Sequence, residues 1–535
     1  MRELFRDYWD KIAKSPMYWI PLVIFSFVGY GFSIFNRTIS NDDLVKDYIN
    51  TIIPYSGRWG MLVWEKLVGV TDLVPFVDRF VTLLLLFASS VLLGSLFYYL
   101  KNRSGNVLTY TVLSSIVLTY PLINEIYDYT SADIQYTGNL ALILLTFIYL
   151  TLKRNTPPRK RKLVISIATI MLVLPASSYE VGLFSYVTLL CVVILYKYIN
   201  SSDHDLTFKQ WVRENCFFLI PMLLAVVIRF VVHFTILFIN NASYVQLGGS
   251  EIDYSNITFI YIVGSNIFRY YVAGLVYFPI TVFVIFSFIY FVIIIRKSVL
   301  ERNYKIFLLA MITYLSIFLV VIVRGLCMDY KIAQSLTIFI AFVAFLLCEI
   351  KIPRFSLLIP SFLLFLCWHQ SVYLNNVLSL NNMRSNNEIS SFHYIGDHIV
   401  SRYGNKKPVV FIRNHIYGGY LGPWIDKRLY ADTNTWNGRI FEELVNDYLP
   451  EKYRHYKYVI NNTNNQINWL SDSGLRDFFS YCGYDINIVP FATLLSLEGN
   501  DSVMKRYLME QYEDARTTMN QLEIKDIGMC LFVKY

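Results

Sequence analysis

Long apolar runs recur through the first 374 residues of the chain, and they constrain its fold more than any other feature. A helix needs roughly 20 apolar residues to cross about 30 Å of hydrocarbon. Only 16% of the residues are charged, against roughly a quarter in soluble domains, which excludes a soluble enzyme. We predict a polytopic α-helical membrane protein with about eleven spans, near 17–35, 81–100, 107–123, 139–152, 163–176, 183–197, 217–238, 272–295, 306–323, 332–349 and 355–374.

The basic residues predict the orientation of these spans. With eleven spans, the loops fall alternately on two sides, and one side carries more than twice as many Lys and Arg as the other. Cytoplasmic loops of membrane proteins hold this excess, so we expect a cytoplasmic amino terminus. The net charge of +8 is accounted for by this pattern, and we expect no nucleic-acid partner. An odd number of spans exports everything after about Leu374.

The segment 375–535 differs in composition from the predicted bundle 1–374, because it has no long apolar run. Strand-like runs and helix-like segments alternate in it, which predicts a small periplasmic α/β domain. Two cysteines of this segment, Cys482 and Cys530, could pair in an oxidising compartment, and the sequence leaves that pairing open. We expect strands at 408–412, 458–460, 486–489 and 530–533, and helices near 437–449 and 500–516.

Acidic residues in the outward loops are the candidates for catalysis. Asp42 and Asp43 stand side by side after the first span, and a Gly-Arg-Trp turn at 57–59 follows them. Asp133 lies in the second outward loop and Glu180 in the third. Outward loops are generally acidic because Lys and Arg are kept out of them, so Asp133 also has a purely compositional explanation. The adjacent pair is harder to explain by solubility alone.

Transfer of a sugar from a lipid phosphate suits this distribution of charges. A carboxylate takes the proton of the attacking acceptor hydroxyl. The leaving phosphodiester is a weak base, so it needs fixed positive charge rather than a general acid. Arg58 and Arg324 lie near the outer surface, and Arg229 lies inside the seventh span, where a charged residue normally faces a partner or a cavity.

Several further expectations concern the ligands. Arg229 and His233 are spaced i,i+4 and share one helical face, where Arg229 serves either the donor phosphate or a structural contact. The aromatic side chains of Trp59 and Tyr179 are candidates for binding the acceptor sugar. The chain has no phosphate-loop motif and no zinc-binding pattern, so we expect no cofactor. A divalent cation on the adjacent aspartates is conceivable but not favoured.

The run Asn41-Asp42-Asp43-Leu44, the turn Gly57-Arg58-Trp59, the number of spans and the exported terminal segment resemble the bacterial serotype-converting glucosyltransferases (Gtr type) of the GT-C class. The resemblance implies inverting transfer of glucose from undecaprenyl phosphate glucose to lipopolysaccharide O-antigen at the periplasmic face. It also implies catalysis by Asp42 and Asp43. The family often has Gly-Arg-Pro where this chain has Trp59, a departure that bears on donor identity.

Two other functions fit the same architecture. An O-antigen polymerase also acts on lipid-linked sugars outside the membrane, but it usually presents a large loop between spans. A flippase or transporter of a lipid-linked sugar should show repeat symmetry and several charges near the midplane. The chain has no evident repeat, and a separate flippase for the donor remains an expected partner.

Overall fold

A computed structural model gives the architecture of the chain. It describes residues 1–36, 54–68, 75–121, 133–178, 181–200, 208–243, 278–324, 329–350, 357–412, 476, 479–480, 482–497, 502–518 and 523–534. The helices are α1 Arg2–Tyr8, α2 Pro16–Phe35, α3 Gly60–Val68, α4 Pro75–Leu100, α5 Val107–Thr119, α6 Asp133–Lys153, α7 Pro158–Ser178, α8 Val181–Asn200, α9 Phe208–Ile239, α10 Phe278–Leu300, α11 Tyr304–Ser316, α12 Leu319–Arg324, α13 Asp329–Glu349, α14 Leu358–Tyr403, α15 Phe491–Leu497 and α16 Ser502–Thr518. The strands are β1 Val409–Ile412, β2 Ile524–Asp526 and β3 Leu531–Lys534.

Apolar helices dominate the first part of the chain, as expected for a polytopic helical membrane protein. Within the described residues, 7 helices are long and apolar enough to cross a membrane, and they lie in α2, α4, α6, α7, α8, α9 and α10. Shorter apolar helices cover Val107–Thr119, Tyr304–Ser316 and Gln334–Glu349. Every predicted span overlaps a helix, while the total of eleven spans stays a prediction.

The helix ends differ from the predicted ones because polar residues extend the helices beyond their apolar runs. Helix α4 begins at Pro75 rather than near residue 81, and its first turn contains buried Asp78 and Arg79. Helix α14 continues through a polar stretch to Tyr403, far beyond the predicted end at 374. Hydropathy detects only the apolar part of such a helix and therefore misses its polar ends.

One end of the bundle is joined by polar contacts between segments distant in sequence. The Tyr98 hydroxyl donates to Asp7 Oδ2 at 2.9 Å. Glu349 Oε1 forms an ion pair with Lys101 Nζ at 2.9 Å and accepts a hydrogen bond from the Tyr196 hydroxyl at 3.1 Å. All five residues lie in or beside segments that the positive-inside rule assigns to the cytoplasm. The assignment of this end to the cytoplasm stays a prediction.

The described residues divide into two compact units, and those from Ser379 onward form the second. Its sheet has the order β1-β3-β2, with β1 parallel and β2 antiparallel to β3. The expected strands at 408–412 and 530–533 are confirmed as β1 and β3, and the expected helix near 500–516 as α16. At 486–489 the structure has an isolated bridge between Ile488 and Val409 instead of a strand. The segments 437–449 and 458–460 lie outside the described residues.

Alternating side chains give this sheet two apolar faces. One face packs Val409, Phe411, Leu531 and Val533 against the late part of α14, and the partly buried Cys482 joins that cluster. Cys530 belongs to the cluster on the other face, which also contains Val410 and Phe532. Both cysteines are free thiols. The disulfide that the sequence left open is therefore absent, because the two thiols pack on opposite faces of one sheet.

Tyr484 lies directly on α14 at Gly396, and this close contact gives a stability prediction. A Cβ atom at Gly396 would lie 2.6 Å from Cδ2 of Tyr484, closer than packed atoms tolerate. The Tyr484 hydroxyl donates to Asp397 Oδ1 at 2.7 Å, and this hydrogen bond raises the pKa of Tyr484 to about 12. We expect Gly396→Ala to lower unfolding free energy by about 1–3 kcal/mol, as for overpacked sites. Thermal unfolding of the full-length chain checks this, with the exposed site Val400→Ala as control. An unchanged midpoint for Gly396→Ala would contradict the contact.

Candidate active site

The Gly-Arg-Trp turn (residues 57–59) is held by a charged side chain of helix α9. A single 3-10 turn at Pro54–Ser56 leads into Gly57, whose φ of 79° lies in the left-handed region that favours glycine. Arg229 Nε donates to the Gly57 carbonyl at 3.3 Å. A Cβ at Gly57 would lie 3.5 Å from Arg229 Nη2 and 3.6 Å from His233 Cγ. The turn before α3 and helix α9, the seventh predicted span, therefore meet here.

Arg229 and His233 share the buried face of α9, as their spacing predicted. Arg229 is 8% exposed and His233 is 3% exposed, although much of the surrounding helix surface is exposed. Burying a guanidinium group in a membrane costs free energy unless polar groups accept its hydrogen bonds. Here the Gly57 carbonyl accepts one of them. Of the two roles expected for Arg229, the structural contact is present. The same hydrogen bond places the positive charge of Arg229 beside Gly57, the residue before Arg58.

Helix α3 follows the turn and packs against α6 near its beginning and against α7 near its end. Its first residue, Gly60, lies so close to α7 that a Cβ would be 2.7 Å from Ser178 Oγ and 2.8 Å from Ser178 N. Further along, the Trp64 indole donates to Asn139 Oδ1 at 3.0 Å, and the Trp64 ring covers Gly138 of α6. The start of α3, the beginning of α6 and the end of α7 therefore lie together.

The structure describes only some of the predicted site residues. Arg58 and Trp59 are half-buried at the start of α3, and the Arg58 carbonyl accepts from Met61 N at 2.9 Å. Asp133 is the first residue of α6, and Arg324 is the last residue of α12. The side chains of Asp133 and Arg324 lie outside the described part of the structure. So do Asp42, Asp43, Tyr179 and Glu180 entirely, and their roles stay predictions.

Sequence reasoning missed three charged residues in α3 and at the start of α4. Asp78 is 2% exposed and Arg79 is completely buried in the first turn of α4. Arg79 stands directly before an apolar run, and that position is the signal in the sequence that a helix contains it. Glu65 lies on α3, and its partial burial raises the pKa of its carboxyl group to about 7. A carboxylic acid that titrates near neutral pH is typical of functional sites.

A comparison with known protein families gives one match. The model of the family described as "Glucosyl transferase GtrII" matches residues 31–348, which is more than half of the chain. No curated protein and no solved structure matches the chain. The matched segment includes the Gly-Arg-Trp turn, helix α3 and the buried pair on α9. The resemblance seen in the first loop is therefore confirmed by a match that extends through most of the helical bundle.

Proposed function

The chain belongs to the GtrII glucosyl transferase family and is a glycosyltransferase, and we propose that its donor is undecaprenyl phosphate glucose and its acceptor a sugar of the O-antigen. The reaction takes place at the periplasmic face of the bacterial inner membrane and changes the serotype of the lipopolysaccharide. The observation that carries this proposal is the family match, because it spans the segment in which the turn and the buried arginine meet.

The chemistry proposed is a single displacement that inverts the anomeric carbon. Asp42 or Asp43 takes the proton from the acceptor hydroxyl as its oxygen forms the new glycosidic bond. The bond from the anomeric carbon to the phosphate oxygen breaks at the same time, and undecaprenyl phosphate leaves as an anion. Glu180 or Asp133 orients the acceptor or the base. No proton is needed on the leaving group, because a phosphodiester is a weak base.

Positive charge at the leaving phosphate comes from the arginines. We propose that Arg58 and Arg324 contact the phosphate and that Arg229 adds its charge from the buried side of the turn. Support for Arg229 comes from its hydrogen bond to Gly57, which fixes a cation one residue from Arg58. Fixed charges in a site that excludes water stabilise a developing anion without having to reorganise. Trp59 and Tyr179 are proposed to bind the acceptor sugar.

This proposal needs neither a metal nor a cofactor, and it needs one orientation in the membrane. The amino terminus is cytoplasmic and the segment after residue 375 periplasmic, as the distribution of Lys and Arg supports. The donor is made on the cytoplasmic side in such a scheme, so a flippase for undecaprenyl phosphate glucose is the proposed partner.

Transfer of label by the purified protein tests the proposal. The full-length chain is reconstituted with undecaprenyl phosphate carrying radiolabelled glucose and with O-antigen lipopolysaccharide. We expect label to move to the polysaccharide, with unchanged chain length and with EDTA present. Label that moves across the bilayer but stays on the lipid would indicate a carrier instead. Longer chains without new side branches would indicate a polymerase, and either result would overturn the proposal.

A further inference from the structure

Helix α3 carries a carboxylate on the face that packs against the bundle. Gly60, Met61 and Trp64 are the buried residues of this nine-residue helix, and Glu65 lies beside them on the same face. Lys66, the next residue, is exposed. A helix this short does not span a membrane, so α3 is an outer element held in place by its contacts with α6 and α7. Glu65 is therefore on a rigidly placed face rather than on a free loop.

One oxygen of the Glu65 carboxylate is buried without a hydrogen-bond partner. Its Oε1 atom is shielded from solvent, and no donor reaches it within the described part of the chain. A buried acceptor that stays unpaired costs free energy, and the cost is larger for a charged group. Such groups are rare in native structures and call for an explanation, and the standard ones are strain, a catalytic role, a water molecule or an ion.

Two further buried groups are hydrogen-bond donors without a partner in the described structure. One precedes α3, and the other lies on α6, where a side chain of α3 contacts it. The indole N–H of Trp59, immediately before α3, is buried without an acceptor among the described residues. The amide Nδ2 of Asn139, whose Oδ1 is occupied by Trp64, is also buried without one. Asn139 is 1% exposed. The acceptor on α3 and the two donors, one just before α3 and one on α6, complement hydroxyl groups, which both donate and accept.

We propose that Glu65 is a substrate-binding residue, and that its carboxylate accepts a hydrogen bond from a hydroxyl group of a sugar in the transfer site. This inference rests on the proposed function. Both the glucose of the lipid donor and the acceptor sugar present such hydroxyls, so the chemistry is shared between them. The Trp59 indole and the Asn139 amide donate to the same sugar. Neither the motif in the first loop nor the acidic pattern of the outward loops includes Glu65.

Separate titrations of the two substrates test the role of Glu65. Glu65→Gln keeps the shape of the side chain and removes its charge. We expect KM for one substrate, donor or acceptor, to rise about tenfold to a hundredfold, as for loss of a hydrogen bond to a charged group, with kcat within a few-fold of the parent. The substrate whose KM changes identifies the sugar that is bound. Glu65→Asp retains the charge and should restore part of the affinity. Lys66→Gln, on the exposed side of the same helix, is the matched control.

The pH profile gives a readout that packing alone would not change. Burial raises the pKa of Glu65 to about 7, so its ionised form is lost as the pH falls below that value. We expect kcat/KM of the parent to decrease there, and this decrease to be absent in Glu65→Gln. Among the described side chains of the helices packed against α3, the titratable or charged groups are Tyr136, Tyr149 and Lys153 on α6 and the basic residues 159–162 at the far end of α7, and Lys66 follows Glu65 on α3 itself.

The outcomes separate this inference from the proposed function. If the parent transfers no glucose from the lipid donor, the proposed function fails. If the parent is active and a folded Glu65→Gln variant shows the parental KM for both substrates and the parental pH profile, the role of Glu65 is wrong. A large loss of kcat with unchanged KM would also overturn it, because that result describes a residue that acts only in the transition state.

Discussion

Asp42→Asn or Asp43→Asn should lower glucosyl transfer by about a hundredfold to ten-thousandfold, which is the usual contribution of a general base. Asn has nearly the same shape as Asp but cannot take the proton of the acceptor hydroxyl. The variant that loses more activity identifies the base, and the other carboxylate then orients the acceptor. Transfer of labelled glucose to polysaccharide, measured at equal amounts of protein in the membrane, is the measurement.

A neighbouring acid provides the control for these two variants. Asp47 lies in the same outward loop, and Asp47→Asn makes the same chemical change a few residues away. We expect it to keep parental activity. Parental transfer by both Asp42→Asn and Asp43→Asn would show that neither carboxylate is the base. The family assignment would remain, because it rests on residues 31–348 as a whole.

The helices were predictable because the bilayer imposes one strong requirement on the sequence. A spanning helix needs roughly 20 predominantly apolar residues, so the prediction at 217–238 falls inside Phe208–Ile239 without any knowledge of its neighbours. Helix α3 has only nine residues and escapes this criterion. The polar part of α14 does not meet the hydropathy criterion either. Its residues Phe392, Ile395 and Ile399 are buried against the sheet, whose strands come later in the sequence.

The sequence allowed single residues of the site to be predicted, but not the contacts between them. The Gly-Arg-Trp turn and the pair on α9 each stood out in the sequence. Their contact joins residues 172 positions apart, and no local pattern encodes which loop meets which helix. Arg79 and Glu65 were missed for a related reason. Hydropathy does not distinguish an exposed charge between apolar runs from a buried one, and packing of neighbouring helices buries Arg79 completely and Glu65 in part.

Arg229→Gln is expected to reduce kcat about a hundredfold to a thousandfold, the effect of removing one group that stabilises the charge of a transition state. Arg229 has two separable properties, since it donates a hydrogen bond from Nε to Gly57 and it also carries positive charge. Arg229→Lys keeps the charge and loses the planar guanidinium group. Lys should therefore recover part of the activity that Gln loses, if charge at the phosphate is what matters.

The comparison of Lys with Gln decides between the two roles of Arg229. If Arg229 only fastens the turn, Gln should keep activity and thermal stability at least as well as Lys, because its Nε2 lies nearly where Arg has Nε and can donate the same hydrogen bond to Gly57. If its charge acts on the leaving phosphate, the Lys variant exceeds the Gln variant in kcat at similar stability. Thr235→Ala, at an exposed position of the same helix, should leave both quantities unchanged. Parental kcat in the Gln variant would remove Arg229 from the mechanism, and the phosphate would then depend on Arg58 and Arg324 alone.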